Sequence, residues 1–318
     1  MTTYDWTLLR AGTFKLDGGS MFGLIPRAVW SRSITPDDKG RITVQHNCLL
    51  LRGGGKTYLL EVGTGDKMDP KSKQIFALED RSILTALGEQ RSDPGAIDGI
   101  VVSHLHFDHA GGLTRLAREG EIPDWTGAGA GEAHGVKLAF PNATVVAQAR
   151  EWSDALSNRS VMTRTYFHDH LLPFALDAFK ERLRLVDSPR PFPLGHTPDR
   201  GDLPALPLEY RTTEVFPGIH VFLVPGHTWG QQATLFTDTK GRTVVFTPDV
   251  MPTAAHVGAA YSLGYDVEPY TSMISRGWFL HEAAQRDWLL VLDHEPGNPC
   301  RRVRPNASGW YDLVEDAP

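Results

Sequence analysis

The order of apolar and polar positions along the chain predicts strands at both ends and helices between them. Residues 43–51 and 57–62 are strand-like runs that flank Arg52-Gly53-Gly54-Gly55-Lys56, the pattern of a β-hairpin. Gly63-Thr64-Gly65 then marks a turn. Ser82 to Gln90 spaces Ile83, Leu84 and Leu87 as a helix would. Ile97 to Val102 reads as a buried strand, and Ala110-Gly111-Gly112-Leu113 as the start of a short helix ending near Gly120. Residues 120–140 are rich in Gly and Ala and are expected to form a loop insertion. Thr144 to Ala147 is a short strand, and residues 148–182 are mostly helical in pattern, interrupted at Pro173. The proline-rich residues 188–208 read as a surface excursion.

Strands resume with Ile219 to Val224. A second hairpin follows, Ala233 to Thr237 and Thr243 to Thr247, turning through Asp238-Thr239-Lys240-Gly241. Trp288 to Leu292 is read as the last buried strand. This arrangement predicts an α+β fold, an αββα sandwich of two mixed β-sheets flanked by helices. A single domain over 1–318 is expected, with a helical and loop insertion at about 120–215.

Composition narrows the function classes. The 318 residues are 41% hydrophobic and 22% charged, an ordinary globular balance. A net charge of −6 gives no basic footprint for nucleic acid or an anionic membrane. No apolar run approaches the ~20 residues of a membrane helix, and Met1 to Trp6 lacks the start of a signal peptide. Cys48 and Cys300 are too few for a disulfide framework, so both are expected reduced in a cytoplasmic protein, with Cys300 in an exposed polar segment.

The chemistry concentrates in His104-Leu105-His106-Phe107-Asp108-His109, directly after Ile100-Val101-Val102. Imidazole nitrogen and carboxylate oxygen suit Zn and neighbouring divalent metals. Three more metal-competent positions follow apolar strands: His227 after Val224-Pro225-Gly226, Asp249 after Phe246-Thr247-Pro248, and His294 after Val291-Leu292-Asp293. Strand ends at one edge of a sandwich converge although they are distant in sequence. A lone histidine after a strand ordinarily makes a loop hydrogen bond, and Asp249 alone could be a helix N-cap. Their shared place directly after buried strands is the internal argument for a common site.

Together, HxHxDH, Gly226-His227-Thr228, Asp249 and His294 resemble the metallo-β-lactamase superfamily, over about Asn47 to Glu295. The resemblance implies His104, His106 and His227 on one metal, Asp108, His109 and His294 on a second, and Asp249 bridging both. Two divalent cations are then expected, Zn first, with Fe, Mn, Co or Ni as alternatives. Such a pair shares a water and yields a hydroxide nucleophile near neutral pH, with Asp108, or a water held by the metals, returning a proton to the leaving group. No G-x-S-x-G serine motif competes with this reading. His106, where the redox di-iron branch carries Glu, points to hydrolysis. Asp249, where true β-lactamases carry Cys or Ser, is similar to the lactonase, glyoxalase II and phosphodiesterase branches. Only about 24 residues follow His294, which disfavours glyoxalase II and its C-terminal extension.

Asp17 to Pro26 is similar to the leading segment of quorum-quenching acyl-homoserine lactonases. That resemblance implies Met21, Phe22 and Leu24 as a hydrophobic wall for substrate; packing on the sheet is the alternative. His256 is placed near substrate. The lactonase Tyr three residues after the bridging Asp is Pro252 here, so Tyr261 or Tyr265 is expected to replace it. Asp293 is expected to be structural or to orient a ligand. His168-Asp169-His170 is read as pocket-lining rather than metal-binding, since positions i and i+2 do not share a helix face. His134, His196, His220 and His281 are read as surface or loop residues. The expected activity is hydrolysis of a small-molecule lactone or ester, with phosphotriester or phosphodiester cleavage as the alternative and a non-catalytic metal-binding role the least favoured. A homodimer is the default assembly.

Overall fold

In the computed structural model, residues 2–129, 131–161 and 164–318 are described; the expectations that cover Ala130, Met162 and Thr163 lie outside them. The chain opens with strand β1 (Asp5–Asp17), helices α1 (Gly18–Phe22) and α2 (Arg27–Trp30), and the hairpin of β2 (Arg41–Gly53) and β3 (Lys56–Leu60). Then come α3 (Pro70–Phe76), α4 (Ile83–Glu89), β4 (Gly99–Val101), α5 (Phe107–Ala110), β5 (Thr114–Leu116), β6 (Trp125–Ala128), β7 (Ala133–Leu138) and β8 (Thr144–Gln148). Helices α6 (Ala149–Leu156) and α7 (His168–Ala175) precede β9 (Leu183–Val186). The C-terminal part holds β10 (Thr213–Phe216), β11 (Ile219–Leu223), β12 (Gln232–Thr237), β13 (Thr243–Thr247), α8 (Pro269–Gln285), β14 (Leu289–Leu292), β15 (Cys300–Pro305) and β16 (Tyr311–Glu315). This is an α+β architecture with two mixed sheets.

Two compact units divide the chain. One comprises Trp6–Lys15 and Gln45–Val186. Its sheet has the order β1-β2-β3-β4-β8-β9. The β2–β3 turn uses Gly54 and Gly55 at φ 59° and 73°, the left-handed pair that a two-residue hairpin turn needs. β3, β4 and β8 run parallel, with Leu60 opposite Val101 and Val101 opposite Val146. Parallel strands are covered on both faces, so they read as continuous apolar runs rather than alternations. Leu59, Ile100, Val102, Val145 and Leu105 belong to one buried cluster. Because β3 and β4 end level, Glu61 and Ser103-His104 leave the sheet at the same edge.

The other unit comprises Met1–Asp5, Leu16–Val44 and Asp187–Pro318, with the sheet order β10 through β16 in sequence. Its core gathers Phe222, Trp278, Phe279, Trp288 and Leu290. β13 and β14 are parallel, with Thr247 opposite Leu292, so Asp249 and Asp293-His294 leave side by side. β11 is antiparallel to β12, and β12 to β13. β11 therefore ends at that same edge and releases Val224-Pro225-Gly226-His227.

Several expectations are corrected. No helix runs from Ala110 to Gly120: after a single 3-10 turn, β5 pairs with β7. Residues 120–140 are not a loop alone, since β6 and β7 complete a three-stranded sheet with β5. Ladder hydrogen bonding overrides the poor strand propensity of Gly and Ala there. The described residues of 148–182 hold two eight-residue helices rather than a mostly helical stretch, and Pro173 lies inside α7, two residues before its end. β14 is not the last strand: β15 and β16 follow, and Cys300 is buried on β15.

Candidate metal centre

In the first unit, the turn after β4 and the short helix α5 carry His104, His106, Asp108 and His109. All three imidazoles are buried. His104 Nδ1 lies 2.9 Å from Ser103 Oγ, and its Nε2 lies 3.1 Å from His106 Nδ1. The His104 and His109 rings are 3.9 Å apart between centroids. His109 Nδ1 lies 3.5 Å from Glu61 Oε2, and its Nε2 lies 3.9 Å from Asp108 Oδ1. Glu61 also accepts a hydrogen bond from the Ser103 N–H. Oxygen therefore faces the Nδ1 atoms of His104 and His109, which turns each Nε2 toward ligand duty. Glu61 holds φ at 64°, a left-handed conformation that costs a non-glycine residue ~1 kcal/mol or more.

In the second unit, His227, Asp249, Asp293 and His294 are buried at the shared strand edge. His227 Nδ1–H donates to Asp266 Oδ1 at 2.9 Å, while Nε2 lies 3.0 Å from Asp249 Oδ2. Asp249 Oδ1 lies 3.4 Å from His294 Nε2. The two oxygens of Asp249 thus address two different imidazoles. One ligand atom each from Asp249, Asp293 and His294 lies within 4.8 Å of the others, so Asp293 joins the cluster as well. Burial alone pushes the His227 imidazole down, but the Asp249 and Asp266 carboxylates outweigh it and hold its pKa up to about 10. This mixed nitrogen and oxygen donor set, buried and with ring nitrogens oriented by carboxylates, fits divalent cations.

The backbone around these residues is tied together. The His294 N–H donates to the Pro252 carbonyl at 3.0 Å, so the position where lactonases carry Tyr serves a backbone role here. Val267 N–H donates to the His227 carbonyl at 3.1 Å, and Gly264 N–H to the Ser20 carbonyl at 2.6 Å. The 261–266 loop therefore connects the His227 turn to the leading segment.

That segment is not an exposed wall throughout. Phe22 is 0% exposed and lies in a stack, its ring 4.5 Å from His256 and 5.2 Å from Trp30. Met21 is buried too, and its carbonyl accepts from His256 Nε2–H at 2.8 Å. His256 Nδ1 accepts from the Thr253 hydroxyl at 2.8 Å. Burial dominates His256 and pushes its pKa down to about 4, so the ring is neutral. Leu24 is 79% exposed, while Tyr261 and Tyr265 are half-buried. In this conformation Leu24, Tyr261 and Tyr265 offer surface to a ligand, and Phe22 and His256 offer none.

Sequence reasoning missed Glu61 and Asp266. Glu61 carried a readable signal, a polar residue directly after an apolar strand. Asp266 lies in an irregular loop and carried none. His134, read as a surface residue, is a partner of Asp169, 3.2 Å from its carboxylate.

A profile of the metallo-beta-lactamase superfamily matches residues 41–294. The chain therefore belongs to the metallo-β-lactamase superfamily, whose fold it has, and by that membership it is a metal-dependent hydrolase. No curated protein matches it. Among solved structures, it is similar to a probable metal-dependent hydrolase from Staphylococcus aureus, at TM-score 0.75 and 21% identity over 99% of this chain and 98% of that one. It is similar to AidC, a dizinc quorum-quenching lactonase solved with a product, at TM-score 0.68 and 17% identity over 99% and 98%. It is also similar to an N-acyl homoserine lactone hydrolase with its product at the catalytic metal center, at TM-score 0.63 and 18% identity over 93% and 95%. Among the described residues, no helix is long and apolar enough to cross a membrane.

Proposed function

We propose that the chain opens lactones or cleaves related esters of small molecules, in the cytoplasm, using two divalent cations held by His104, His106, Asp108, His109, His227, Asp249 and His294. One observation carries the dinuclear reading: Asp249 presents one oxygen to His227 and the other to His294, so it would be able to hold a cation on each side. The lactonases among the structural relatives support the substrate class. We read the chain as one hydrolase domain and Zn as the first metal to test; the insertion expected at about 120–215 is interrupted by β8 and β9, which pair within the six-stranded sheet.

Bound cations of this kind supply Lewis acidity and make water acidic enough to ionise near neutral pH. The rest falls to side chains. Asp266 fixes the tautomer of His227, and Glu61 orients His109. Asp108 is only partly buried, and it carries a proton to the departing alkoxide. Leu24, Tyr261 and Tyr265 meet the substrate, with Met21, Phe22 and His256 packed behind them. One of the two tyrosines donates to the ester carbonyl.

The test is a panel of lactones, aryl esters and phosphotriesters offered to metal-free protein and to protein reloaded with Zn, Mn or Co. Lactone or ester turnover that depends on metal is the expected result. Turnover of phosphotriesters alone contradicts the substrate class, and metal-independent turnover contradicts the whole reading.

A further inference from the structure

Leu105 lies between His104 and His106, and its backbone N–H and carbonyl are both held by buried ionisable side chains. Its N–H donates to Glu151 Oε1 at 3.0 Å, from α6. Its carbonyl accepts from His170 Nε2–H at 3.2 Å, from α7. Glu151 also accepts from the Tyr166 hydroxyl at 3.0 Å, and the Tyr166 ring lies 4.8 Å from that of His106. Behind His170, its Nδ1 lies 3.5 Å from the Asp169 carboxylate. Burial pushes that carboxyl up, but His170, Lys67 and His134 outweigh it and hold it at about 2. Glu151 and His170 are both wholly buried.

Burying a carboxylate and an imidazole is costly unless they are well bonded. An apolar pair would fill the same volume more cheaply. Here two helices place such groups on the N–H and the carbonyl of one residue, and so on the two successive peptide planes that join it to His104 and to His106. We infer that Glu151 and His170 are positioning residues of the metal centre: they lock the peptides on either side of Leu105 so that His104 and His106 hold their ligand nitrogens in place before metal arrives. This rests on the reading that His104 and His106 bind metal. It gives the His168-Asp169-His170 motif a purpose without making it a metal site.

The experiment measures Zn affinity of the full chain by competition with a chelator, the absorption spectrum of the Co(II)-loaded protein, and the thermal unfolding of metal-free protein. His170→Leu removes the donor to Leu105 and is expected to weaken Zn binding ~10–100-fold, the size typical of lost ligand-orienting partners. It should also alter the Co(II) spectrum. His170→Gln, whose amide nitrogen can reach the same carbonyl, should restore both. His170→Asn keeps a polar group but draws the donor back, and serves if the leucine variant does not fold. Glu151→Gln keeps an acceptor for the Leu105 N–H and should bind Zn close to wild type. Leucine or asparagine variants with wild-type affinity and an unchanged Co(II) spectrum overturn the inference, even if their metal-free stability falls. Wild-type protein that takes up no Zn overturns the reading of the site itself, and the inference with it.

Discussion

Replacing His256 with Gln separates a buried histidine's packing from its titration. His256 is 0% exposed and hydrogen-bonded at both ring nitrogens as a neutral tautomer. Its pKa is about 4 in the fold against 6.5 for the free side chain. The folded value lies below the unfolded one, so the unfolded chain binds this proton more readily. The stability tied to neutral His256 is therefore fully present above pH 6.5 and is lost as pH falls through 4. A difference of about 2.5 pKa units at 1.36 kcal/mol each is about 3 kcal/mol in all, most of it gone by pH 4. Gln can still donate to the Met21 carbonyl but does not titrate. The assay is urea unfolding of metal-free wild type and His256→Gln at pH 7 and pH 4. The variant starts less stable because the stack on Phe22 is gone, but it should lose about 3 kcal/mol less than wild type between the two pH values. Equal losses in both proteins would refute the argument that His256 is neutral and buried.

Three further outcomes follow from the same geometry. Asp266→Ala removes the acceptor that fixes His227 and should weaken metal binding ~10–100-fold, measured by chelator competition. Phe22→Ala empties a position between Trp30 and His256 and should cost about 3–5 kcal/mol in denaturant unfolding. Gly23 sits at φ 52°, and a Cβ there would lie 2.5 Å from the Ser262 carbonyl oxygen. Gly23→Ala should accordingly destabilise by about 1–3 kcal/mol, with a lower Tm as the readout.

Much of this was legible in the sequence because one physical rule generates it. Strands buried on both faces appear as short apolar runs, and polar side chains just beyond them fall at a sheet edge. That rule finds His104, His227, Asp249 and His294, and applied evenly it also finds Glu61. It fails where pairing partners decide the structure. β15 reads Cys-Arg-Arg-Val-Arg-Pro, too charged to look like a strand, yet it is held between β14 and β16. α8 buries Ser272, Ser275 and Arg276 along with its apolar residues, so no clean stripe marks it. β6 contains a glycine because a side chain at Gly127 would strike the Trp125 ring, a fact of packing rather than propensity. Asp266, Glu151 and His170 matter through hydrogen bonds to residues 39, 46 and 65 positions away, and no local pattern announces such partners.

The central claim is a two-cation hydrolase, and stoichiometric reloading tests it most directly. Zn is added stepwise to metal-free protein while hydrolysis of an N-acyl lactone is followed. The account predicts no turnover without metal and a rise in rate that is complete only at two equivalents per chain, the loading that would fill both halves of the donor set. Full activity at one equivalent, or activity that persists without metal, would contradict it.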